Sequence, residues 1–146
     1  MLIYLDMCCL KRPFDDQSQP RIRLESEAVL GLLAMESARC QFVRSPAQVL
    51  ENSRNPVRER AARVGEWLAA VPAWTPDLGM LQARTAELIR LGFKSFDALH
   101  TASAEQAGAG ALATCDDRFL AAGGRHAGSL KVRIVGIVDL AKEMLQ

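Results

Sequence analysis

Four short, mostly apolar segments, separated by long stretches with helical periodicity, constrain the fold of this chain more than any other feature. They are residues 2–5, 40–43, 111–114 and 132–135. Short apolar runs that do not alternate with polar residues are typical of strands buried on both faces of a parallel sheet. Because parallel strands need crossover connections, the helices between them belong on the two faces of that sheet. The sequence therefore predicts an α/β fold: a three-layer α/β/α sandwich around a mostly parallel sheet of four to five short strands.

Capping residues, prolines and glycines predict where the helices begin and end. A polar loop is expected at residues 11–19, and an apolar stripe predicts a helix at residues 21–38. Ser45-Pro46, with Gln48 following, is the pattern of a capping box and indicates a helix start. Four further starts are expected at capping residues, two of them followed by proline: Asn55-Pro56, Thr75-Pro76, Ser95 and Asp139. Glycines predict the interruptions, with Gly92 and Gly108 as helix stops and Gly123-Gly124 as a loop.

Length and composition indicate one ordinary globular domain. The chain has 146 residues, of which 49% are hydrophobic and 24% charged. That size suits a single domain spanning residues 1–146. No apolar run approaches the roughly 18 residues of a membrane span, and no signal-peptide pattern stands at the N-terminus. We therefore expect a cytoplasmic protein without a membrane partner.

Cysteine and arginine usage narrows the choice of partners. Cysteines stand at positions 8, 9, 40 and 115 without C-x-x-C spacing, so free thiols in a reducing compartment are expected and a structural zinc site is not. The net charge is only +1, yet 14 of the 18 cations are arginine. Arginine suits phosphate recognition, although a coding bias towards arginine explains the same count.

Four carboxylates stand in unusual surroundings. Asp6 and Asp116 follow predicted strands, whereas Glu51 and Asp97 lie near predicted helix starts beside apolar residues. Carboxyl ends of parallel strands form the usual ligand site of such sheets, and a divalent cation would compensate several carboxylates gathered there. His100 lies one turn after Asp97 and therefore on the same helix face. The other helical glutamates are expected on solvated faces: Glu25, Glu27, Glu36, Glu59, Glu66, Glu105 and Glu143.

Four segments together resemble the PIN-domain family of metal-dependent ribonucleases, which includes VapC-like toxins of toxin–antitoxin pairs. They are residues 3–6 (IYLD), 45–51 (SPAQVLE), 96–102 (FDALHTA) and 113–119 (ATCDDRF). The third is similar to the family's D-A-L-H-x-A segment and the fourth to its T-x-D-x-x-F strand end. The likeness runs in the family's order from the first strand to about residue 120.

The resemblance implies a metal-dependent endoribonuclease that hydrolyses RNA phosphodiester bonds as the toxin of a toxin–antitoxin pair. Asp6, Glu51, Asp97 and Asp116 would be catalytic, and Asp6, Asp97 and Asp116 would hold Mg²⁺ or Mn²⁺, with Asp117 as a further candidate ligand. The implied partners are RNA, a small antitoxin protein and a second copy of the chain.

Cations and apolar helices near these motifs supply further expectations. Candidate RNA contacts are the cations close in sequence to the acidic positions: Lys11, Arg12, Arg54 and Arg58. The apolar stripe at residues 21–38 and the helix from Val57 to Val71, with Trp67 and Trp74, exceed what one small sheet needs to cover. We therefore expect a homodimer.

Two alternatives remain at this point. Met7 follows Asp6, where the family usually has Thr, Ser or Asn, so a catalytically weak or inactive PIN-like module that binds RNA or a protein is one alternative. A signalling receiver or phosphatase is the other, since it also carries strand-end aspartates. It is disfavoured because Cys8 stands where a phosphatase of that layout has a second acidic residue.

Overall fold

The computed structural model describes residues 1–36 and 39–146, and this part of the chain forms four strands and eight α-helices. In chain order they are β1 (Leu2–Leu5), α1 (Met7–Lys11), α2 (Pro20–Ala34), β2 (Gln41–Phe42), α3 (Pro46–Ser53), α4 (Arg58–Ala70), α5 (Leu78–Leu91), α6 (Ser95–Gln106), β3 (Ala111–Thr114), α7 (Asp117–Arg125), β4 (Arg133–Gly136) and α8 (Ile137–Met144). Two 3-10 helices, Arg12–Phe14 and Ala127–Ser129, follow α1 and α7.

The four strands form one sheet in the order β2-β1-β3-β4, and every neighbouring pair is parallel. Ile3 of β1 pairs with Phe42 on one side and Ala111 on the other, and Thr114 of β3 pairs with Gly136. The chain leaves β1 towards β2 but continues from β3 towards β4. The order therefore reverses between β1 and β3, which makes the carboxyl ends of these two strands the topological switch point.

Alternate residues of the strands pack into two separate hydrophobic cores, one on each face of the sheet. Ile3 and Leu5 of β1 face the core formed with α1, α2, α4 and α8, whereas Tyr4 faces the core formed with α5, α6 and α7. β3 divides in the same way, with Leu112 on the Tyr4 side. Both faces of the sheet are thus covered, which explains the apolar central strands β1 and β3 and confirms the predicted α/β/α sandwich.

Several helix starts differ from the predicted ones. The capping box is confirmed: Ser45 Oγ accepts from Gln48 N at 3.2 Å, and Gln48 Oε1 accepts from Ser45 N at 2.9 Å. The next helix, however, begins at Arg58, because Asn55 Oδ1 accepts from Val57 N at 3.1 Å and forms a turn rather than a cap. In α5 the cap is Asp77, whose Oδ1 accepts from Met80 N at 3.1 Å, two residues after the expected Thr75.

Other boundaries are also corrected. The polar loop expected at residues 11–19 is shorter than predicted, because Lys11 ends α1 and Arg12–Phe14 form a 3-10 helix, which leaves residues 15–19 without regular structure. The first long helix spans Pro20–Ala34, so the predicted extension to residue 38 is too long by several residues, and positions 37 and 38 lie outside the described residues. Ser95 is the first residue of α6 instead of its cap, and Ile137 rather than Asp139 starts α8.

Glycines behave in two different ways. Gly92 ends α5 with a φ of 112°, as the sequence predicts for a helix stop. Gly123, expected in a loop, lies inside α7 instead. A Cβ atom there would stand 2.7 Å from the Cβ of Ile134, so glycine allows α7 to pack closely on β4.

Two glutamates expected on solvated faces are buried ion-pair partners. Glu25 Oε1 accepts from Arg12 Nε at 3.0 Å, and Glu105 Oε1 accepts from Arg84 Nε at 2.7 Å. Arg12 also donates to Asp15 at 3.0 Å. A buried carboxylate needs such a partner, so these pairs belong to the fold rather than to a solvated surface.

The apolar helix faces that suggested a second copy are largely core in this structure. Val29 and Leu32 of α2 are buried, and Trp67 packs against the same core. Large exposed apolar side chains remain on α2, at Leu24 and Leu30, and at the start of α5, at Leu78 and Met80. None of the described helices is long and apolar enough to cross a membrane.

Candidate metal centre

The topological switch point collects acidic side chains from four elements. Asp6 follows β1 directly and Asp116 stands two residues after β3, so the two adjacent strands deliver both to the same edge of the sheet. Glu51 reaches this edge from α3 and Asp97 from the first turn of α6. Ligands of open parallel sheets bind in such a crevice, outside the carboxyl ends of the strands.

Asp6 is buried and accepts hydrogen bonds through both carboxylate oxygens. Its Oδ1 accepts from Met7 N at 2.8 Å, and its Oδ2 accepts from Thr114 Oγ1 at 2.8 Å and from Cys8 Sγ at 3.1 Å. Thr114 and Cys8 therefore supply the polar support that Met7 cannot provide. Burial, reinforced by Cys8, nevertheless raises the pKa of Asp6 well above its usual range. A cation beside Asp6 would favour its ionised form.

The start of α3 is anchored on the end of β1, and this fixes the position of Glu51. The side chain of Gln48 is fully buried and donates from Nε2 to the backbone oxygen of Leu5 at 2.7 Å. Glu51 lies three residues later, on the same helix face as Gln48. The capping box and this single amide thus place a carboxylate beside the strand end that carries Asp6.

Glu51 is held between His100 and Lys11. Its Oε1 lies 3.1 Å from His100 Nε2, and its Oε2 lies 3.9 Å from Lys11 Nζ. Burial by itself would raise the pKa of Glu51, but the hydrogen bond from His100 and the charges of His100 and Lys11 lower it below the usual value. Glu51 is therefore ionised at neutral pH and oriented before any ligand arrives.

His100 links the centre to the core through a chain of buried hydrogen bonds. Its Nδ1 lies 2.6 Å from the Tyr4 hydroxyl, which lies 2.6 Å from Ser45 Oγ. Burial would lower the pKa of His100, yet the Glu51 hydrogen bond and the charges of Asp6 and Glu51 raise it. The imidazole thus partners Glu51 and fixes α6 against β1 and α3.

Asp97 and Asp116 complete the centre on its open side. Asp116 caps α7, with Oδ1 accepting from Arg118 N at 2.9 Å and Phe119 N at 3.3 Å, and its own N donates to Thr114 Oγ1 at 3.0 Å. Asp97 is half-buried, and burial together with the negative charge of Asp116 raises the pKa of Asp97 to about 6. The two carboxylates therefore repel each other when both are ionised, a cost that a shared cation removes.

These donors fit a hard divalent cation. Asp6, Glu51 and His100 each offer a ligand atom within 4.8 Å of the others, and Asp97 and Asp116 interact electrostatically beside them. Mg²⁺ and Mn²⁺ prefer carboxylate oxygens and retain bound waters. The structure thus places Asp6 and Glu51 in one group with His100, and it brings Asp97 within electrostatic range of Asp116 and His100. It adds Thr114, which joins Asp6 to the Asp116 backbone and was not identified from the sequence.

Asp117 does not join this cluster. Its two carboxylate oxygens accept from Arg21 at 2.7 and 2.9 Å, and its side chain is 72% exposed. Asp116 points back as the helix cap, whereas Asp117 occupies the first helical position, so the two neighbours diverge.

The cations expected to contact RNA occupy different environments. Arg12 already neutralises Asp15 and Glu25, and Lys11 faces Glu51. The guanidinium of Arg54 lies 5.5 Å from the centre of the Phe96 ring. Arg58 is exposed at the start of α4.

A cationic cleft adjoins Asp97, and the sequence analysis did not identify it. Lys94, Arg118 and Arg125 line a cavity of about 280 Å³ together with Asp97. Among the described residues, none of these three cations forms an ion pair with a carboxylate. The sequence does contain one indication of this cleft, which is the spacing of the cations from the acidic residues: Lys94 precedes Asp97 by three residues, and Arg118 follows Asp116 by two.

Comparison of the sequence with models of known protein families finds no match, and comparison with curated proteins finds no significant match.

Proposed function

We propose that this protein is an Mg²⁺- or Mn²⁺-dependent endoribonuclease that acts in the cytoplasm on single-stranded or looped RNA. The observation that carries the proposal is the group formed by Asp6, Glu51 and His100 at the topological switch point, with Asp97 interacting electrostatically with His100 and Asp116 beside it. Burial raises the pKa of Asp6 and of Asp97, and the charge of Asp116 raises the pKa of Asp97 further, so a bound cation would stabilise the ionised forms of both carboxylates. The resemblance of the four segments to PIN-domain ribonucleases supports the same chemistry.

The residues of this chain hold and orient the reacting groups. Asp6, Asp97 and Asp116 are the proposed metal ligands, and Glu51 adds a fixed negative charge through its contact with His100. When bound, the metal lowers the pKa of a coordinated water and neutralises charge on the phosphate. No side chain needs to act as a covalent nucleophile, because positioning and electrostatic stabilisation suffice for phosphodiester hydrolysis.

The cleft beside Asp97 supports a nucleic-acid substrate. Lys94, Arg118 and Arg125 offer three positive charges next to a proposed metal ligand, where the phosphates flanking the scissile bond would lie. Aromatic residues make up only 5% of the chain, so phosphate contacts rather than base stacking should dominate binding. The choice of RNA over DNA, and a role as a toxin with a small antitoxin partner, rest on the family resemblance.

Binding without cleavage is the second candidate function. The observation that favours it is Met7, which is fully buried at the position after Asp6 where the family usually has a polar residue. Against it, Thr114 and Cys8 donate to Asp6 in place of that residue. A binding module would retain RNA affinity and the cationic cleft but would show no metal-dependent cleavage.

A cleavage assay on labelled single-stranded RNA separates the two functions. Wild type, Asp97→Asn, Asp116→Asn and the control Asp139→Asn are purified in parallel, and each is tested with Mg²⁺, with Mn²⁺ and with EDTA. Asp139 is the matched control because, like Asp97, it is an acidic residue in the first turn of a helix. We expect metal-dependent cleavage by wild type and Asp139→Asn, and a loss of about 100-fold or more in the two other variants.

Two results would contradict the nuclease proposal. Cleavage that survives EDTA, or that persists in Asp97→Asn and Asp116→Asn, would show that another group or a contaminating enzyme cuts the RNA. Tight RNA binding by wild type without any metal-dependent cleavage would instead establish the binding module.

A further inference from the structure

Three of the four cysteines meet at one point beneath the sheet edge. Cys8 and Cys9 lie in the first turn of α1, and Cys115 follows β3, more than 100 positions away in the sequence. The three sulfur atoms all lie within 4.8 Å of one another, and Cys9 Sγ is 3.6 Å from Cys115 Sγ. All are free thiols, as the sequence predicts, but their convergence was not expected from their spacing.

The three thiols differ in their exposure to solvent, and therefore in how easily an ion could reach them. Cys9 is fully buried and Cys115 nearly so, whereas Cys8 is partly exposed. Cys8 Sγ accepts from the backbone N of Cys115 at 3.2 Å, and Cys9 Sγ donates to the backbone oxygen of Ala113 at 3.3 Å. The sulfurs are thus held by two packed elements, with one open side at Cys8.

Packing alone accounts poorly for this arrangement. Cys40 is an ordinary core cysteine, since it lies fully buried in the same core and belongs to no such group of thiols. Zinc–sulfur bonds are about 2.3 Å long, so three sulfurs around one ion stand about 4 Å apart. The observed separations, 3.6 Å for one pair and no more than 4.8 Å for any, bracket that value. Only small side-chain shifts are needed to admit an ion.

We propose that Cys8, Cys9 and Cys115 form a binding site for one thiophilic d¹⁰ cation of the Zn²⁺ and Cd²⁺ class. Binding forms metal–sulfur bonds, and the protons of the coordinating thiols pass to the solvent. Thiolates select soft ions, whereas the neighbouring carboxylates prefer Mg²⁺ or Mn²⁺. Arg21 covers the outer side of the site, donating to the Cys115 backbone oxygen at 3.3 Å while its charge is paired with Asp117.

The thiol site and the carboxylate centre share a boundary at Cys8, which also donates to Asp6. A test must therefore tell metal on sulfur from metal on oxygen. Sulfur-to-cadmium charge transfer absorbs in the ultraviolet, and carboxylate-bound cadmium gives no such band. This readout does not depend on RNA cleavage, so it stands whether or not the nuclease proposal holds.

The experiment titrates the reduced full-length chain with Cd²⁺ under anaerobic conditions and records the charge-transfer band, with Zn²⁺ as the competitor. We expect the band to saturate at one equivalent and Zn²⁺ to displace it. Cys8→Ser and Cys115→Ser should weaken binding by at least about 10- to 100-fold, since even outer-shell partners cost that much. Cys40→Ser removes a buried cysteine outside the cluster, and Asp97→Asn alters the carboxylate centre. Both should leave the band unchanged.

Circular dichroism of each variant checks that the fold survives. Cys8→Ser keeps the test decisive if Cys115→Ser fails to fold, because Cys8 is the partly exposed member. The proposal is overturned if wild type shows no band, if Cys8→Ser retains it at full affinity, or if Cys40→Ser weakens it equally. Any of these results would leave the three thiols as core packing only.

Discussion

Replacing Asp97 by asparagine should stabilise the metal-free protein while removing the stabilisation that metal provides. Burial and the charge of Asp116 raise the pKa of Asp97 from 3.8 to about 6, so the folded state holds this proton more tightly than the unfolded chain. Above about pH 6 the ionised carboxylate therefore opposes folding. The cost declines as the pH falls from 6 towards 4 and is absent below the unfolded pKa.

The size of the effect follows from the same shift. Two pKa units correspond to about 3 kcal/mol, and solvent screening of the half-exposed side chain reduces this to roughly 1–1.5 kcal/mol. Asp97→Asn should thus raise Tm by roughly 3–5 °C at pH 8 in EDTA. At a metal concentration 100-fold above Kd, wild type gains about 2.7 kcal/mol and overtakes the variant, which gains far less.

Thermal unfolding followed by circular dichroism measures this crossover. Wild type, Asp97→Asn and Asp139→Asn are compared at pH 8 and pH 4, with EDTA and, at pH 8, with Mg²⁺. The control, which also loses a first-turn charge, should stay within about 0.5 kcal/mol of wild type in every condition. The reasoning is refuted if Asp97→Asn is less stable than wild type in EDTA at pH 8, or if its advantage is the same at pH 4.

Three further predictions concern the core, the cleft and the assembly. Tyr4→Phe should lower the free energy of unfolding by about 1–3 kcal/mol in urea titrations, because it leaves Ser45 and His100 without their buried partner, and an unchanged midpoint would contradict this. The double variant Arg118→Ala/Arg125→Ala should raise KM for RNA several-fold with little change in kcat, and it should weaken the salt dependence of KM. A fall in kcat without a change in KM would show that the cleft does not bind the substrate. Sedimentation at micromolar concentration should show a homodimer, because Leu24 and Leu30 of α2 and Leu78 and Met80 of α5 leave apolar surface for a second copy, and a species of 16.0 kDa would exclude it.

The central strands, and the burial of both their faces, could be predicted because the pattern that indicates them lies within a few consecutive residues. Leu2–Leu5 and Ala111–Thr114 are apolar at every position or nearly so, and only a sheet covered on both faces buries such segments. The capping box could be predicted for the same reason, since Ser45 and Gln48 lie within four consecutive residues. The aspartates that follow β1 and β3 could then be placed at one edge from topology alone.

Features that depend on tertiary contacts could not be predicted in the same way. Asn55 has the composition of a helix cap, but its side chain closes a turn to Val57 and Arg60 also reaches it at 3.4 Å. Gly123 has the composition of a loop, but the helix containing it packs against Ile134. Local propensity decides such positions only where no neighbouring element competes with it.

The pairing of charges and thiols was the least predictable part of the site. Arg12 lies just past Asp6 in the sequence and looked available to RNA, yet Glu25, on the following helix, already neutralises it. Cys115 could be matched to Cys8 only after the sheet placed β3 next to β1. Contacts of this kind carry no periodicity that a sequence window can detect.

Direct measurement of Mn²⁺ binding by electron paramagnetic resonance tests the central claim, that carboxylates at the switch point hold a hard divalent cation. Free Mn²⁺ is quantified during titration of wild type, Asp6→Asn, Asp97→Asn and Asp139→Asn. The account predicts saturable binding to wild type and Asp139→Asn, and affinity lower by more than about tenfold in Asp6→Asn and Asp97→Asn. No saturable binding to wild type, or equal affinity in all four proteins, would contradict it.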